Sequence, residues 1–284
     1  MYTYKILDNI DLNIIHQAFV EAFSDYQVKI DLPFLKFENM VKRRGLIPEL
    51  SIGAFDNEKL IGFVLNGVRN WNGKLTAYDL GTGVIPNYRK QGITSEILKK
   101  VKDLCKENDI ESYLLEVLQN NTGAVELYKK QGFQTTREFD CYYLNKEDFT
   151  PSICVEIKNV EFLNINQWEE IQKLWDYNPS WQNSIDSINV FPDRFSYSIV
   201  TIENKIVGYG VVDKVIGDIP QIAISKEHRN KGIGKSIISD LFNHTEANKL
   251  SLINVDCRDV NFKSFLMNVG FVNYVNQYEM ILYL

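Results

Sequence analysis

One pattern occurs twice in this chain, and its repetition limits the folds open to the sequence. The segment Arg89–Thr94 (RKQGIT) in the first half matches the segment Arg229–Gly234 (RNKGIG) in the second. In each copy an apolar run precedes the arginine and an amphipathic pattern follows the glycine, which is the order of a strand, a turn and a helix. A repeat at a spacing of about 140 residues is typical of a duplicated fold.

Two further pairs support the duplication. Gly132–Phe133 recurs as Gly270–Phe271 after about 138 residues, and Ile61–Phe63 matches Val207–Tyr209 after about 146 residues. The larger offset fits an extra turn in the first half at Asn72–Gly73, a pair that favours a tight hairpin. The chain is therefore predicted to be two copies of one fold.

Each repeated loop has the features of an anion site. A turn that leads into a helix points successive backbone N–H groups at one place, where the helix start adds a partial positive charge. Gly92, Gly232 and Gly234 have no Cβ, so the backbone there can approach phosphate oxygens closely. Arg89 and Arg229 would each add a positive charge beside the loop. The pattern predicts pyrophosphate binding.

Both halves resemble the GNAT superfamily of acetyl-CoA-dependent N-acetyltransferases, in which an R/Q-x-x-G-x-G/A loop binds the CoA pyrophosphate. The first half also carries the later signature of that family, with Leu115–Val117 (LEV) followed by the pattern within Asn121–Phe133. The resemblance implies an α/β fold, specifically an α+β mixed sheet. Two tandem GNAT-like domains are expected, each a central, mostly antiparallel sheet flanked by helices.

Length and composition agree with two domains. The 284 residues are 45% apolar and 24% charged, enough for two cores of about 140 residues each. A polar cluster and a proline at Asp148–Pro151 interrupt two strand-like runs, so the seam is expected there. The predicted domains are residues 1–148, expected to be catalytic, and residues 152–284, a related copy with the loop but without the catalytic residues.

Charge and cysteine patterns exclude several classes of function. The net charge is −6 with a sequence pI near 5.3, and dense Lys/Arg stretches are absent, so a nucleic-acid partner is not expected. Cys105, Cys141, Cys154 and Cys257 are scattered without C-x-x-C spacing, so a metal site is not expected either. The start of the chain lacks a signal-peptide pattern, and runs of ~18 apolar residues are absent. A cytoplasmic protein without a membrane partner is expected, and an oligomer is left open.

Hydrophobic periodicity gives the same order of elements in both halves. In the first half, helices are predicted over 10–24, after the loop, and over 122–131, with strands over 51–56, 59–68, 76–85, 113–118 and 137–144. In the second half, helices are predicted over 166–177, after the loop, and up to about residue 268, with strands over 195–202, 205–212, 219–225 and 250–255.

The resemblance implies acetyl-CoA as the cosubstrate, bound between splayed strands. A backbone N–H of the strand that enters the first loop, that of Val84, is expected to receive the thioester oxygen, with Gly81 and Gly83 relieving crowding at that edge. A simple bulge in the strand is the equally weighted alternative. The candidate cofactor-binding residues are Val84, Arg89, Lys90, Gln91, Gly92, Ile93, Thr94, Asn121, Arg229, Asn230, Lys231, Gly232, Ile233 and Gly234.

Two side chains of the first half are candidates for the proton transfers. Tyr128 lies where similar acetyltransferases place the tyrosine that protonates the CoA sulfur, and a phenol stays protonated at neutral pH. Glu116 lies where ribosomal-protein alanine acetyltransferases use a glutamate as base. A packing tyrosine and a strand glutamate that holds a loop are the alternatives. Asp79 is the second candidate for the base, or an anchor for a cationic substrate.

The second half departs from the pattern where the chemistry would occur. Aligned on Gly270, it has Leu266 at the position of Tyr128 and Asn254 at that of Glu116, and neither can exchange the required proton. Phe262 replaces Ala124, which would crowd the cofactor thiol. Conversely, Thr94 stands where the first loop should have a small residue. Catalysis is therefore expected in the N-terminal domain.

The predicted function is transfer of an acetyl group from acetyl-CoA to a primary amine, directly within a ternary complex. The acceptor is left open as a small molecule or a peptide; Asp25, Asp31 and Asp79 are compatible with a cationic amine. The alternative is a non-catalytic acyl-CoA-binding sensor or scaffold, which explains the altered second copy but not the retained signature of the first. A dinucleotide-binding module is disfavoured because G-x-G-x-x-G is absent.

Overall fold

The computed structural model describes residues 2–25 and 32–284, and the chain divides into two compact units. Unit 1 comprises Met1–Thr136 with Tyr278–Leu284, and unit 2 comprises Arg137–Gln277. Asp31, one of the acidic residues singled out from the sequence, lies outside the described residues.

The helices and strands follow one another in a similar order in the two halves of the chain. In the first half they are β1 (Thr3–Ile6), α1 (Leu12–Ala22), α2 (Phe34–Arg44), β2 (Ile52–Asp56), β3 (Lys59–Trp71), β4 (Lys74–Val84), α3 (Ile93–Glu107), β5 (Ser112–Leu118), α4 (Thr122–Lys130) and β6 (Gln134–Asn145). In the second half they are β7 (Lys158–Val160), α5 (Ile165–Gln172), α6 (Ile185–Asn189), β8 (Phe195–Ile202), β9 (Lys205–Asp213), β10 (Gln221–Ile224), α7 (Ile233–Asn243), β11 (Lys249–Asp256), α8 (Val260–Val269) and β12 (Val272–Tyr283).

The sheet of unit 1 has the strand order β1-β2-β3-β4-β5-β12. Strands β1 to β4 pair antiparallel, and β4 pairs with β5 in parallel. The β3–β4 hairpin turns at Asn72 and Gly73, whose φ values of 51° and 82° fit a two-residue type I′ turn. This confirms the extra turn expected in the first half, and the expected mixed sheet flanked by helices is confirmed as well.

Unit 2 contains the antiparallel sheet β10-β9-β8-β7 and the antiparallel pair β6–β11. In both units the helix after the repeated loop supplies much of the core: α3 buries Ile97, Leu98 and Val101, and α7 buries Ile237 and Leu241. The helical spacing read from the sequence is confirmed at both places.

Strands β6 and β12 each belong partly to both units. The boundary falls after Thr136 in β6 and after Gln277 in β12. Residues 137–148 therefore belong to unit 2, and residues 278–284 belong to unit 1. The last strand of each half of the chain is shared between the two units. The ranges 1–148 and 152–284 stay a prediction about the duplicated sequence segments, which differ from these compact units.

Helices α2 and α5 differ from the sequence expectation for identifiable reasons. Helix α2 was not expected, and its buried side chains are Phe37 and Val41, which give a weak periodic signal. Helix α5 ends at Gln172 rather than near 177. Its last turn tightens, because the N–H groups of Leu174 and Trp175 donate to carbonyls three residues earlier.

Candidate active site

The loop between β4 and α3 has the backbone shape of an anion site. Lys90 and Gly92 take left-handed φ values of 61° and 79°, and Gly92 is the N-cap of α3. A helical hydrogen bond runs from the Glu96 N–H to the Gly92 carbonyl at 3.1 Å, and the N–H groups at a helix start have no acceptor within the helix. A Cβ placed on Gly92 would meet nothing within 4 Å, so a ligand can approach this backbone.

The loop before α7 repeats this backbone. Asn230 and Gly232 have φ values of 58° and 79°, and the Ser236 N–H donates to the Gly232 carbonyl at 3.0 Å. The strand before each loop is fastened in the same way, since Ile85 donates to Ile61 at 2.9 Å and Ser225 donates to Val207 at 2.8 Å. The duplication therefore extends to the hydrogen bonds of the loop.

The arginine of each loop binds the protein itself. Arg89 Nε donates to the Val84 carbonyl at 3.0 Å, Nη2 donates to Ala22 at 2.7 Å, and the guanidinium forms an ion pair with Asp25 at 2.7 Å. Arg229 repeats the arrangement with the Ile224 carbonyl at 3.0 Å and with Asp176. The arginine charge that was expected beside the phosphate is therefore paired with an aspartate in both units. The hydrogen bonds of the arginine hold the shape of the loop.

The surroundings of the two loops differ. A Cβ at Gly234 would lie 2.7 Å from the ring of Phe265, on which Phe262 stacks with centroids 6.1 Å apart. A Cβ at Gly232 would lie 2.7 Å from the Cys154 sulfur. The regular glycine pattern of the second loop therefore has a packing reason of its own. In unit 1, Thr94 takes the position of Gly234.

Strands β4 and β5 separate beyond their first residues. They pair only from Thr76–Tyr78 with Ser112–Leu114, and β4 is irregular opposite β3 where Leu65 and Asn66 face Gly81 and Asp79. A bulge is present there, at Leu80, and it does not decide between the two readings of this strand edge. Beyond this point β4 has no pairing with β5, which opens the edge of β4.

The N–H of Val84 points into this opening. Ile85 donates to Ile61, so the pair of Val84 and Gly62 is one whose N–H groups point away from each other. The Val84 N–H is therefore directed to the β5 side of β4, where the sequence analysis expected a donor. Its role toward a thioester stays a proposal.

Gly81 and Gly83 are required by packing on the face of the strand. A Cβ on Gly81 would lie 2.9 Å from the ring of Phe19, and one on Gly83 would lie 2.7 Å from the ring of Phe63. Both distances are too short for real Cβ contacts. The structure thus gives these glycines a different reason from the edge crowding expected from sequence.

Tyr128 is buried on α4 and contacts an acidic residue of β4. Its hydroxyl donates to Asp79 Oδ2 at 3.4 Å, and Thr82 Oγ1 donates to the same oxygen at 2.5 Å. Asp79 is 7% exposed, and burial raises its pKa from the ordinary 3.8 to about 6, although the hydrogen bonds from Thr82 and Tyr128, the nearby N–H of Gly81 and the charge of Arg44 lower it. A carboxyl that titrates near neutrality suits proton transfer.

Glu116 lies on the other face of the sheet. Its neighbours Leu115 and Val117 pack in the core cluster that contains Tyr128, and successive strand residues point to opposite faces. Burial holds the pKa of Tyr78 well above its ordinary value of 10, and the charge and hydrogen bond of Glu116 raise it further. The two candidate proton-transfer residues are therefore separated by the sheet.

Asn121 is the N-cap of α4. Its Oδ1 accepts a hydrogen bond from the Ala124 N–H at 3.2 Å, and Asp259 caps α8 in the same way through the Phe262 N–H at 2.9 Å. This placement gives Asn121 a structural task beside the splayed strands. Its expected contact with the cofactor is a proposal.

In unit 2, hydrogen-bonded side chains fill the region that corresponds to the Gly81 end of β4 in unit 1. Trp175 Nε1 donates to the Tyr209 hydroxyl at 2.5 Å, which donates to Gln221 Oε1 at 2.9 Å. Gln221 Nε2 in turn donates to the Asn183 carbonyl at 2.7 Å. Gln221 stands where unit 1 has Gly81, so its side chain lies on the side of the strand that the ring of Phe19 covers in unit 1. Asn254 is 2% exposed and donates a hydrogen bond to Ser180, which is a structural role.

Several of these residues could not be found from local patterns. Thr82 and Asp25 carry no motif, and they are joined to Tyr128 and Arg89 only through the fold. Asp25 and Asp176 match only in the fold, since they precede their loop arginines by 64 and 53 residues.

Within 2–25 and 32–284, groups of three or more His, Cys, Asp or Glu that could hold a metal ion were not found. In the same part of the chain, helices long and apolar enough to cross a membrane were not found either.

Comparisons with known proteins agree with this geometry. A model described as "Acetyltransferase (GNAT) family" matches residues 12–133, and one described as "Acetyltransferase (GNAT) domain" matches residues 178–280. N-alpha-acetyltransferase 30 from Schizosaccharomyces pombe is 30% identical over 102 residues, which is 36% of this chain and 68% of that protein. N-alpha-acetyltransferase MAK3 from Arabidopsis thaliana is 31% identical over 103 residues, which is 36% of this chain and 54% of that protein.

A solved structure shares the fold over the whole chain. The tandem GNAT protein from the clavulanic acid biosynthesis pathway superposes with a TM-score of 0.72 at 12% identity, covering 100% of this chain and 98% of that one. The two matched domains, the splayed strands and the repeated loop define an acyltransferase with two domains of one kind. The chain belongs to the GNAT family of acetyltransferases, which use acetyl-CoA.

Proposed function

We propose that unit 1 transfers an acetyl group from acetyl-CoA to a primary amine, and that unit 2 is a related unit without catalytic activity. The observation that carries the proposal is the combination of an open Gly92 loop, the directed Val84 N–H and the buried Tyr128–Asp79 pair in unit 1. Acetyl-CoA supplies the acetyl group as a thioester. The side chains of unit 2 at the matching positions cannot exchange protons.

Each residue has a task that its position supports. The backbone of Arg89–Thr94 binds the pyrophosphate, with Asn121 beside it at the start of α4. The Val84 N–H donates to the oxygen that gains charge during transfer. Glu116 accepts the proton of the amine on one face of the sheet, and Tyr128 donates a proton to the departing sulfur on the other. An acid and a base without an assigned nucleophile favour direct transfer in a ternary complex.

The acceptor is proposed to be a primary amine of a small molecule or a peptide. Two relatives are named N-alpha-acetyltransferases, which favours a peptide N-terminus as the first compound to test. The chain spans about two thirds of the length of the first relative and about half that of the second, so the acceptor is not carried over from them. An assay of thiol release with free amino acids, peptides, polyamines and amino sugars distinguishes these classes.

Calorimetric titration with acetyl-CoA tests the binding assignment without an acceptor. Gly92 and Gly232 share a φ of 79°, so valine strains the backbone equally at both positions. Cys154 makes Gly232→Val the more crowded variant. We expect one site in the wild type, retained in Gly232→Val and weakened tenfold or more in Gly92→Val. A site lost only in Gly232→Val would place binding in unit 2, and a wild type that binds no acetyl-CoA would refute the proposal.

A further inference from the structure

Asp79 is a buried carboxyl with incomplete hydrogen bonding. Its Oδ2 accepts from Thr82 at 2.5 Å and from Tyr128 at 3.4 Å. Among the residues that the structure describes, Oδ1 has no hydrogen-bond partner, although it is buried. A buried carboxylate oxygen without a donor disfavours the charged form. The bond from Tyr128 is long, whereas that from Thr82 is short.

The two units differ at both members of the Asp79–Tyr128 pair. Ten residues before the loop arginine, unit 1 has Asp79 and unit 2 has Ile219. Four residues before the later glycine, unit 1 has Tyr128 and unit 2 has Leu266. Ile219 and Leu266 are buried in one core cluster, at 1% and 0% exposure. A carboxyl and a phenol in one unit thus correspond to two apolar side chains in the other.

We propose that Asp79 is a positioning residue for Tyr128: in its neutral form it donates a hydrogen bond to the phenol oxygen and so directs the Tyr128 proton to the departing sulfur. This inference rests on the function proposed above. The protons balance, since the Tyr128 O–H bond breaks as the S–H bond forms. The proton that the acceptor nitrogen releases through Glu116 and water restores the phenol.

The geometry explains why the neutral form is the effective one. An ionised Asp79 can only accept, so it takes the single proton of Tyr128 and turns it away from the sulfur. The groups that act on Asp79 are Tyr78, Thr82 and the Gly81 N–H on its own strand, Tyr128 on α4, Tyr113 on β5 and Arg44 on α2. Arg44 and the hydrogen bonds favour the ionised form, but burial outweighs them. We therefore expect kcat to fall as pH rises through the pKa of Asp79.

The pH profile of kcat for Asp79→Asn distinguishes positioning from general base catalysis. The amide of asparagine can donate to the phenol oxygen at every pH. We expect Asp79→Asn to keep turnover within about tenfold of the wild type at low pH and to lose the decline at higher pH. A variant inactive at every pH would make Asp79 a base, and an unchanged profile would remove it from proton transfer; either result overturns the inference.

Two further variants test whether Asp79 acts through its neighbours. Thr82→Val removes a hydrogen bond that lowers the pKa of Asp79, so the decline of kcat should move to higher pH. In a Tyr128→Phe background, Asp79→Asn should change the residual turnover by less than about twofold, because two residues that act as a unit are not additive. An additive effect of the two substitutions would contradict the coupling.

Carbon-13 NMR of the Asp79 carboxyl in the full chain gives a readout that does not depend on activity. The titration midpoint should lie near 6 and should rise in Thr82→Val and in Tyr128→Phe, since both hydrogen bonds lower the pKa. A midpoint near 4 that neither variant moves would overturn the inference alone. A wild type that shows the predicted titration but releases no thiol from acetyl-CoA with any amine would overturn the proposed function, and the inference with it.

Discussion

The two repeated loops have nearly the same backbone but different surroundings. Their left-handed residues match within a few degrees, and in both the arginine is tied to the last strand residue and to an aspartate. Unit 1 leaves Gly92 open, whereas in unit 2 Phe265 packs against Gly234. The loop pattern therefore specifies a turn, and the side chains around the turn decide whether chemistry can follow.

Replacement of the candidate acid should have the largest effect. Tyr128→Phe keeps the ring that packs on Phe133 but removes the proton donor. We expect kcat to fall about 100-fold or more with the Kd of acetyl-CoA nearly unchanged, measured by thiol release and calorimetry. Leu266→Met, at the matching position of unit 2, is the control and should leave turnover unchanged. Equal losses in the two variants would mean that unit 2 takes part in catalysis.

The second-largest expected effect is a pH-dependent increase in the stability of the Asp79→Asn variant relative to the wild type. The pKa of Asp79 is raised in the fold from 3.8 to about 6, so its favourable contribution is complete below pH 4 and is lost as pH rises through 6. Above that range the ionised carboxyl costs roughly 3 kcal/mol. Asp79→Asn should therefore gain free energy of unfolding relative to the wild type between pH 4 and pH 8, by up to about that amount.

Guanidinium unfolding at the two pH values measures this gain. Asp25→Asn is the control, because the hydrogen bond from Arg89 holds the pKa of Asp25 below its ordinary value, so its contribution is already present near pH 4 and the difference from the wild type should stay nearly constant up to pH 8. A constant difference between Asp79→Asn and the wild type across this range would show that Asp79 titrates normally. Unit 1 would then not carry the destabilising carboxyl that distinguishes it from unit 2, where Ile219 stands.

The features of the fold and the site that the sequence predicts are those encoded by residues close together in the chain. Strand, turn and helix around Gly92 and Gly232 follow from glycine, periodicity and repetition, and the Asn72–Gly73 hairpin follows from turn chemistry. The positions of Tyr128 and Glu116 follow from the resemblance to a family. Each depends on residues close together in the chain.

The missing parts depend on residues far apart in the chain. The contact of Asp79 with Tyr128 joins β4 to α4, and the division of β6 and β12 between the units depends on pairing across the chain. The packing reason for Gly81 has the same origin, because the ring of Phe19 comes from α1. Local patterns cannot report such contacts, because a local pattern does not specify which distant segment will pack against it.

A methyl group added to the second loop should change the free energy of unfolding by less than the Asp79→Asn substitution does. Gly234→Ala would place a Cβ 2.7 Å from Phe265, so overpacking should lower the free energy of unfolding by about 1–2 kcal/mol. Thr94→Ala, at the matching position of unit 1, should change stability by less than about 0.5 kcal/mol. Denaturant unfolding measures both, and a neutral Gly234→Ala would mean that the two loops have equal space.

The ion pair of the first loop should have the smallest effect. Arg89 holds the loop through the Val84 and Ala22 carbonyls as well as through Asp25, so Asp25→Asn removes one of three ties. Asp25 is exposed, and exposed ion pairs contribute little. We expect the Kd of acetyl-CoA to stay within about twofold of the wild type, measured by calorimetry, with Asp176→Asn as the matched control in unit 2. Tighter binding by Asp25→Asn alone would show that a released Arg89 reaches the pyrophosphate, which would restore the role first read from the sequence.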